Sequence, residues 1–220
     1  MSASQAKAVT VFLAISLALL GVAAGISLWR IHEARKWDSL QSLVLLPEPR
    51  VIADFVLEDH NGNPFSLQNF KGHWSLLFFG YTSCPDVCPN TLFQLQQARQ
   101  LMLQRMAADE IPQIYLVSVD FERDTQLKLA EYLRYFDPAF VGLRGEEEQM
   151  RALTLQLGVV YFIEPHEKGV TRYQVDHSAS LLLLDPQGRL RGILPAPHEA
   201  SHIEHDVLTV IRQQDGAPWN

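Results

Sequence analysis

The sequence at residues 78–89 is Phe78-Phe79-Gly80-Tyr81-Thr82-Ser83-Cys84-Pro85-Asp86-Val87-Cys88-Pro89. An apolar run ends here, and a short polar turn leads into a stretch with helical periodicity. The pattern predicts a buried strand, a turn and then a helix. Because open α/β sheets bind ligands just beyond the carboxyl ends of their strands, this position favours a functional site.

Cys84 and Cys88 are the only cysteines in the 220 residues of the chain. A disulfide framework needs several dispersed pairs, so two close cysteines indicate a site. On a helix their spacing puts both sulfurs on one side, near an N-terminus that favours thiolates. Thiolates bind soft metals and attack disulfides. The alternative is a structural pair or a structural disulfide, whose very short loop would add little stability.

Two thiolates do not complete the coordination of most metals. Zinc would want four ligands, or three and a water, whereas Cu(I) accepts two thiolates and one imidazole. Cu(II) tolerates the same set with a fourth, weaker ligand. Among the eight histidines, His177 directly precedes an apolar run, where a loop could reach the cysteine turn. Taken alone, such a histidine is more often structural. His198, His202 and His205 share one face of a predicted helix, which favours either an exposed divalent-ion site or a solvated surface.

Three short apolar runs, at residues 75–79, 114–119 and 180–184, predict strands that are buried on both faces. Further strands are predicted over 51–57 and 189–194, the second after the turn at 185–188. Helical patterns cover about 88–106, 124–136, 146–157 and 198–213. Strands that alternate with helices and end in a hairpin predict an α/β fold with a mixed sheet flanked by helices.

An uncharged, apolar segment lies near the amino terminus. Residues 9–29 contain no charge, and 21 residues of helix match the thickness of a bilayer core. A cleaved signal peptide would have a shorter run. The predicted organisation is a tail over 1–8, one transmembrane anchor over 9–29, a juxtamembrane linker over 30–50 and a globular domain over 51–220. Pro47 and Pro49 predict that the end of the linker lacks regular structure.

Charge narrows the class of partner. Residues 37–220 contain 14 basic and 24 acidic residues, a net charge of −10. This distribution lacks the basic footprint of a nucleic-acid-binding protein. It suits cationic ligands or basic partners, although solubility alone would also explain it.

Three motifs together resemble the Sco/SenC family in the order expected of it. They lie at residues 77–89, 117–125 and 176–180, the last followed by the turn at 185–188. The resemblance implies a thioredoxin-like fold with Cys84, Cys88 and His177 as copper ligands. It also implies an anchor in the bacterial inner membrane, with the domain facing the periplasm. The count of Lys and Arg around the anchor would instead favour the cytoplasmic side.

The family's role implies a copper metallochaperone, which is not an enzyme. It would deliver Cu(I) or Cu(II) to the binuclear copper centre in the copper-site subunit of cytochrome c oxidase. Another copper chaperone or a thiol reductase would be a further partner. An alternative is a thiol–disulfide oxidoreductase that uses Cys84 and Cys88 as a redox-active pair to keep the oxidase cysteines reduced. A peroxidase or redox sensor is a third hypothesis. His177 favours the metallochaperone, because disulfide exchange needs no imidazole.

Two residues depart from the family pattern, Phe121 where proline is usual and Asn90 where threonine is common. Neither is a ligand position. Asp120, beside Phe121 at the end of a predicted strand, has two interpretations. It acts either as an outer group of the metal site or as the cap of a turn.

Overall fold

The computed structural model describes residues 15–27, 39–167 and 169–214. The chain divides into two compact units, Met1–Leu40 and Gln41–Asn220. In the first unit, residues 15–27 form helix α1, whose large apolar side chains are exposed. The predicted anchor falls partly outside the described residues, at 9–14 and 28–29. In the part of the chain that is described, no helix is long and apolar enough to cross a membrane.

The second unit contains a mixed β-sheet of eight strands and a separate ribbon of two. The strands are β1 (Val44–Arg50), β2 (Leu57–Asp59), β3 (Pro64–Phe65), β4 (Ser75–Gly80), β5 (Gln113–Ser118), β6 (Val141–Arg144), β7 (Tyr161–Ile163), β8 (Val175–His177), β9 (Leu181–Leu184) and β10 (Leu190–Leu194). The large sheet has the order β1-β10-β9-β4-β5-β6-β2-β3. Strands β4, β5 and β6 are parallel, and the other neighbours are antiparallel.

The helices of this unit are α2 (Val87–Leu103), α3 (Gln126–Phe136), α4 (Glu147–Leu157) and α5 (Ala200–Gln214), with a short 3-10 helix at Leu67–Phe70. The sequence predicted these four helices to within a few residues. Helix α3 begins after Thr125, whose side chain accepts a hydrogen bond from the Lys128 amide. Helix α4 ends at Gly158, whose φ of 71° is a left-handed conformation that favours glycine.

The core of the sheet follows the three apolar runs. Every residue of β4 and β9 is buried, and β5 is buried except at its first residue. Strand β4 pairs with β5 on one side and β9 on the other. The predictions of doubly buried strands and of a mixed sheet flanked by helices are therefore confirmed.

The prediction that prolines keep the end of the linker free of regular structure is wrong. Residues 44–50 form β1, which pairs with β10, and the register shifts between Leu45 and Arg50. Pro47 and Pro49 lie in that shifted stretch. Because β1 lies at the end of the strand order, the amide hydrogens that the prolines lack are not all needed for pairing. The strand predicted over 51–57 is absent apart from Leu57, which opens β2.

The start of the second unit is fixed by a buried carboxylate. Asp206 of α5 accepts hydrogen bonds from the amides of Gln41, Ser42 and Leu43 at 2.8, 2.7 and 2.7 Å. A buried carboxylate with several N–H donors is satisfied without a cation. The residues just before β1 therefore belong to the folded unit.

The ribbon of β7 and β8 was not predicted. Tyr161 lies opposite His177 in the antiparallel pairing, and Phe162 lies opposite Asp176. Sequence analysis put His177 in a loop, but it is the last residue of β8. Strands of three residues are too short to show an alternating pattern.

Candidate metal centre

The two cysteines lie where β4 leads into α2. Cys84 is half-buried in the turn, and Cys88 is buried in the first turn of the helix. The amide of Cys88 donates a hydrogen bond to the Cys84 sulfur at 3.4 Å. Both cysteines are free thiols. The predicted placement of the pair at the carboxyl end of a buried strand is confirmed.

His177 reaches the cysteines from the ribbon. Its Nε2 lies 3.4 Å from the Sγ of Cys88, and its Nδ1 lies 3.2 Å from the backbone oxygen of Ser178. A carbonyl oxygen can only accept, so Nδ1 carries the proton of that hydrogen bond. In the neutral imidazole the lone pair of Nε2 then faces the sulfurs, as a metal ligand requires.

The three donor atoms form one compact group. The sulfurs of Cys84 and Cys88 and a ring nitrogen of His177 all lie within 4.8 Å of one another. Within the described residues this is the one group of three or more His, Cys, Asp or Glu side chains that could hold a metal ion. The structure thus brings together the three residues that the sequence singled out.

The two thiols are electrostatically unequal. The pKa of Cys84 lies well below the ordinary thiol value, chiefly because the Cys88 side chain donates a hydrogen bond to it, and burial opposes this shift. The amides of Asp86 and Cys88 lower it further. The pKa of Cys88 is raised by the same hydrogen bond and by burial. The reduced pair therefore carries one thiolate, on the more accessible sulfur.

Gly80 makes room for the buried sulfur. A Cβ atom at this position would lie 2.9 Å from the Sγ of Cys88, 3.0 Å from Phe78 and 3.2 Å from Leu116. Real Cβ atoms do not approach a sulfur so closely, so the last residue of β4 has to be glycine for Cys88 to keep its position.

Asp124 fixes the turn that carries Cys84. Its buried carboxylate accepts hydrogen bonds from the amide and hydroxyl of Thr82, at 2.9 and 2.6 Å, and from the hydroxyl of Ser118 at 2.7 Å. Lys128, 3.6 Å away, balances its charge and also donates to Ser83. The carboxylate therefore ties the cysteine turn to the end of β5.

Asp120 supports the segment that leads to His177. The carboxylate accepts hydrogen bonds from the side chain and amide of Arg123 and from the hydroxyl of Tyr173. Arg123 in turn donates to the backbone oxygens of Thr171 and Tyr173. Asp120 therefore caps a turn, as one of its two predicted interpretations has it, and it supports the segment before β8 without a hydrogen bond to any of the three candidate ligands.

Aromatic rings complete the surroundings of His177. The rings of Tyr81 and Phe78 stand edge-on to the imidazole, with centroids 5.8 and 5.9 Å away. The Arg123 guanidinium lies 3.7 Å from the centroid of Tyr173 and 5.5 Å from that of Tyr81. The sequence patterns did not identify Tyr81, Arg123, Tyr173 and Asp124 as supporting residues. The only available signal was that three of them lie inside or beside the quoted motifs.

His198, His202 and His205 were predicted to share one face of the last helix, but His198 lies before α5, and the three form no second site within the described residues. Nε2 of His198 bonds to the backbone oxygen of Ala179 at 2.7 Å, and burial lowers the pKa of this histidine. His202 lies 3.4 Å from Glu199. Neither belongs to a group that could hold a metal among the described residues.

Known proteins resemble this chain over the part that contains Cys84, Cys88 and His177. The family model described as SCO1/SenC matches residues 45–212. A protein from Stutzerimonas stutzeri that is named for copper binding is 41% identical over 157 residues, which are 71% of this chain and 74% of that one. An SCO2-like protein from Rickettsia felis is 33% identical over 185 residues, or 84% and 88% of the two chains.

A solved structure extends the likeness to the fold. The crystal structure of Arabidopsis thaliana ScoI with copper bound has a TM-score of 0.68 and 30% identity, and the match covers 74% of this chain and 99% of that one. The predicted thioredoxin-like α/β fold with a mixed sheet is confirmed.

Proposed function

This chain belongs to the SCO1/SenC family, and on that premise we propose that it is a copper metallochaperone whose ligands are Cys84, Cys88 and His177. The observation that carries the proposal is the convergence of two sulfurs and one ring nitrogen within 4.8 Å. Copper is the cargo of this site, and the protein's task is to bind it and pass it on.

The donor set favours copper over other metals. Two sulfurs and one imidazole suit Cu(I), and a fourth, weaker ligand would extend the set to Cu(II). A structural zinc site would need a fourth Cys or His, and no such side chain joins the group within the described residues. The copper-binding name of the Stutzerimonas stutzeri protein and the copper bound in Arabidopsis thaliana ScoI support the same choice.

The proposed acceptor is the binuclear copper centre in the copper-site subunit of cytochrome c oxidase. The support is the family role together with the position of the cargo. Cys84 is half-buried rather than enclosed, so an incoming ligand can reach the metal. Another copper chaperone that loads the site, or a thiol reductase that keeps its cysteines reduced, would be a further partner.

A thiol–disulfide oxidoreductase is the second candidate function, and one observation favours it. The accessible Cys84 carries the thiolate, while the buried Cys88 keeps its proton. An attacking thiolate next to a resolving thiol is the arrangement that disulfide exchange requires. The substrate in that case would be the cysteines of the oxidase copper site.

The proposed location is the bacterial inner membrane, with a single-pass anchor over 9–29 and the copper domain in the periplasm. The support is the uncharged run of the sequence and the family resemblance. The proposed organisation keeps a tail over residues 1–8 and a juxtamembrane linker over 30–50, and the last part of that linker, from Gln41 onward, belongs to the folded unit. Reporter fusions after residue 60 test the topology. Activity of a reporter that works only in the cytoplasm would contradict it.

Copper titration of the full chain in detergent, reduced and anaerobic, tests the copper site. One tightly bound copper per chain is expected, and Cys84→Ser should lose it. Ser83→Ala is the matched control, because Ser83 lies next to Cys84 but is not one of the three proposed ligands. Copper retained by Cys84→Ser at the affinity of the parent chain would contradict the proposed site.

A further inference from the structure

Asp86 lies at the start of α2 but does not cap the helix. An aspartate at this position ordinarily accepts a hydrogen bond from the first turn. The Asp86 side chain makes no such bond, and the Cys84 sulfur accepts the amide hydrogen of Cys88 instead. The sulfur has taken over part of the capping role, which leaves the Asp86 carboxylate exposed.

Asp176 faces the same space from the ribbon. Both aspartates line a cavity of about 220 Å³ together with Cys84 and His177. Asp176 is exposed, and its carboxylate, like that of Asp86, has no hydrogen bond or ion pair with any described residue. Neither belongs to the group of metal-ligand candidates. The two exposed carboxylates give the mouth of this cavity a negative charge, which attracts a cationic group on a binding partner.

Apolar side chains stand next to the two carboxylates. Phe162 lies opposite Asp176 in the pairing of β7 with β8, so the two side chains share one face of the ribbon. Phe162 is 58% exposed, and Val87, which also lines the cavity, is 42% exposed. An exposed aromatic ring beside charged groups is the kind of residue that anchors a protein interface.

We propose that Asp86, Asp176, Val87 and Phe162 form a docking surface for a copper-exchange partner, which carries lysine or arginine side chains and an apolar contact beside its own copper ligands. This inference rests on the proposed metallochaperone function and identifies the surface on which the copper acceptor would dock. The net charge of −10 over residues 37–220 adds long-range attraction for such a basic partner.

The surface lets transfer proceed by ligand exchange. The partner's ligands bond to copper while the bonds to His177, Cys84 and Cys88 break in turn. The oxidation state of copper does not change, so no electron donor is needed. A partner thiol loses its proton on bonding to copper, and a cysteine sulfur that is released in exchange can take up a proton. A partner held by salt bridges at the mouth keeps its ligands close during these steps.

The test measures copper transfer from the full chain in detergent to the copper-free, reduced copper-site domain of a cytochrome c oxidase subunit. The double variant Asp86→Asn, Asp176→Asn keeps both side-chain shapes and every backbone bond of the turn. We expect it to retain copper within about threefold of the parent affinity, because both carboxylates are exposed and screened. Its transfer rate at low salt should fall about tenfold or more, and the salt dependence should flatten.

Two further variants test the apolar contact and the effect of a surface charge elsewhere. Phe162→Ala should slow transfer and leave the salt dependence unchanged, because an apolar anchor mainly affects dissociation. Asp109→Asn is the matched control. Asp109 is exposed and lies beside Trp74, at the opposite end of β4 from the cysteines. It should transfer copper at the parent rate.

The outcomes distinguish failure of the docking surface from failure of the proposed function. Transfer by the double variant at the parent rate, with the parent salt dependence, would overturn the docking surface alone. An equal loss in Asp109→Asn would also overturn it, because general charge and not this surface would then set the rate. A slower uptake of free copper by the double variant, with unchanged transfer, would make the carboxylates an entry site for the ion. Absence of transfer by the unsubstituted chain would contradict the proposed function and the surface with it.

Discussion

The sulfur side and the imidazole side of the site are built differently. The cysteines follow β4, which is buried and paired on both edges, and Asp124 ties their turn to the end of β5 through Thr82 and Ser118. His177 ends a strand of three residues that pairs with β7 alone among the described strands. The segment that leads to His177 is held mainly by Arg123, which donates hydrogen bonds to the carbonyls of Thr171 and Tyr173.

This difference separates two tasks. A rigid turn on the central sheet fixes the two sulfurs before copper arrives, which lowers the cost of ordering them. The imidazole comes from a small ribbon with fewer supports, so it is the ligand that the fold constrains least. We therefore expect the sulfur side to decide whether copper binds, and the imidazole side to decide how long copper stays and in which oxidation state.

The largest effect is expected from the sulfur side. Cys84→Ser and Cys88→Ser should each abolish tight copper binding, because a three-ligand site does not tolerate the loss of a thiolate. Anaerobic titration with a competing Cu(I) chelator measures this loss. Tight binding in either variant would show that the imidazole side holds copper without both sulfurs.

His177→Ala should have the next largest effect, and only on copper. Loss of an outer partner of a metal ligand costs about 10–100-fold in affinity, so loss of the ligand should cost at least about 100-fold, and more for Cu(II), which prefers nitrogen donors. Disulfide formation and exchange by the cysteines should persist, because they need only the sulfurs. A thiol-exchange assay on the same preparation provides the contrast.

The same variant separates the two candidate functions in cells. Loss of cytochrome oxidase activity in His177→Ala, with partial recovery on added copper, is expected for a metallochaperone. Full oxidase activity in His177→Ala, with failure of Cys84→Ser, would identify the protein as a thiol reductase.

Asp120 and Asp124 form a matched pair of variants, one for each side. Asp124→Asn should lower the free energy of unfolding by about 2–3 kcal/mol, because its buried acceptors hold the cysteine turn. It should also weaken Cu(I) binding. Asp120→Asn breaks the ion pair with Arg123, and its copper defect should resemble a weaker His177→Ala, about tenfold and larger for Cu(II). Denaturant unfolding and copper affinity are measured on both variants. Identical copper defects would contradict the division between the two sides.

Gly80→Ala tests how tightly Cys88 is held. The added Cβ meets Sγ at 2.9 Å, so a cost of about 1–3 kcal/mol in unfolding free energy is expected. In a Cys88→Ala background the same substitution should cost less, by about 1 kcal/mol, because one of its contacts has gone. Additive costs in this double-mutant cycle would mean that glycine is required by Phe78 and Leu116 alone.

The smallest effect is in proton release. The lowered pKa of Cys84 means that it is already a thiolate at pH 7, and the raised pKa of Cys88 means that it is still protonated. Cu(I) binding to both sulfurs should therefore release about one proton per copper, whereas two ordinary thiols with pKa about 8.5 would release nearly two. Titration in weakly buffered solution with a pH indicator distinguishes the two values.

The sequence predicted the parts of this molecule that local patterns encode. The apolar runs of β4, β5 and β9 and the helical pattern of α3 were visible in composition and spacing. Strand β1 was not, because Pro47 and Pro49 disfavour a strand and only its position at the edge of the sheet permits one.

The site also contains parts that local patterns encode and parts that they do not. The CxxxC pair and its place after a strand were predicted from residues alone, while His177 depended on the family resemblance. The bonds from Asp120 to Tyr173 and from Arg123 to Thr171 join residues about 50 positions apart. Such contacts depend on how the elements pack, and no local pattern in one sequence encodes them.

X-ray absorption at the copper edge tests directly whether two sulfurs and one imidazole hold the copper. It is applied to the reduced, copper-loaded full chain and to His177→Ala loaded at excess copper. We expect two sulfur ligands and one imidazole nitrogen in the parent chain, and the two sulfurs without the imidazole in His177→Ala. A parent spectrum without imidazole, or a His177→Ala spectrum that still contains it, would contradict the assignment of His177 as the ligand that completes a sulfur site.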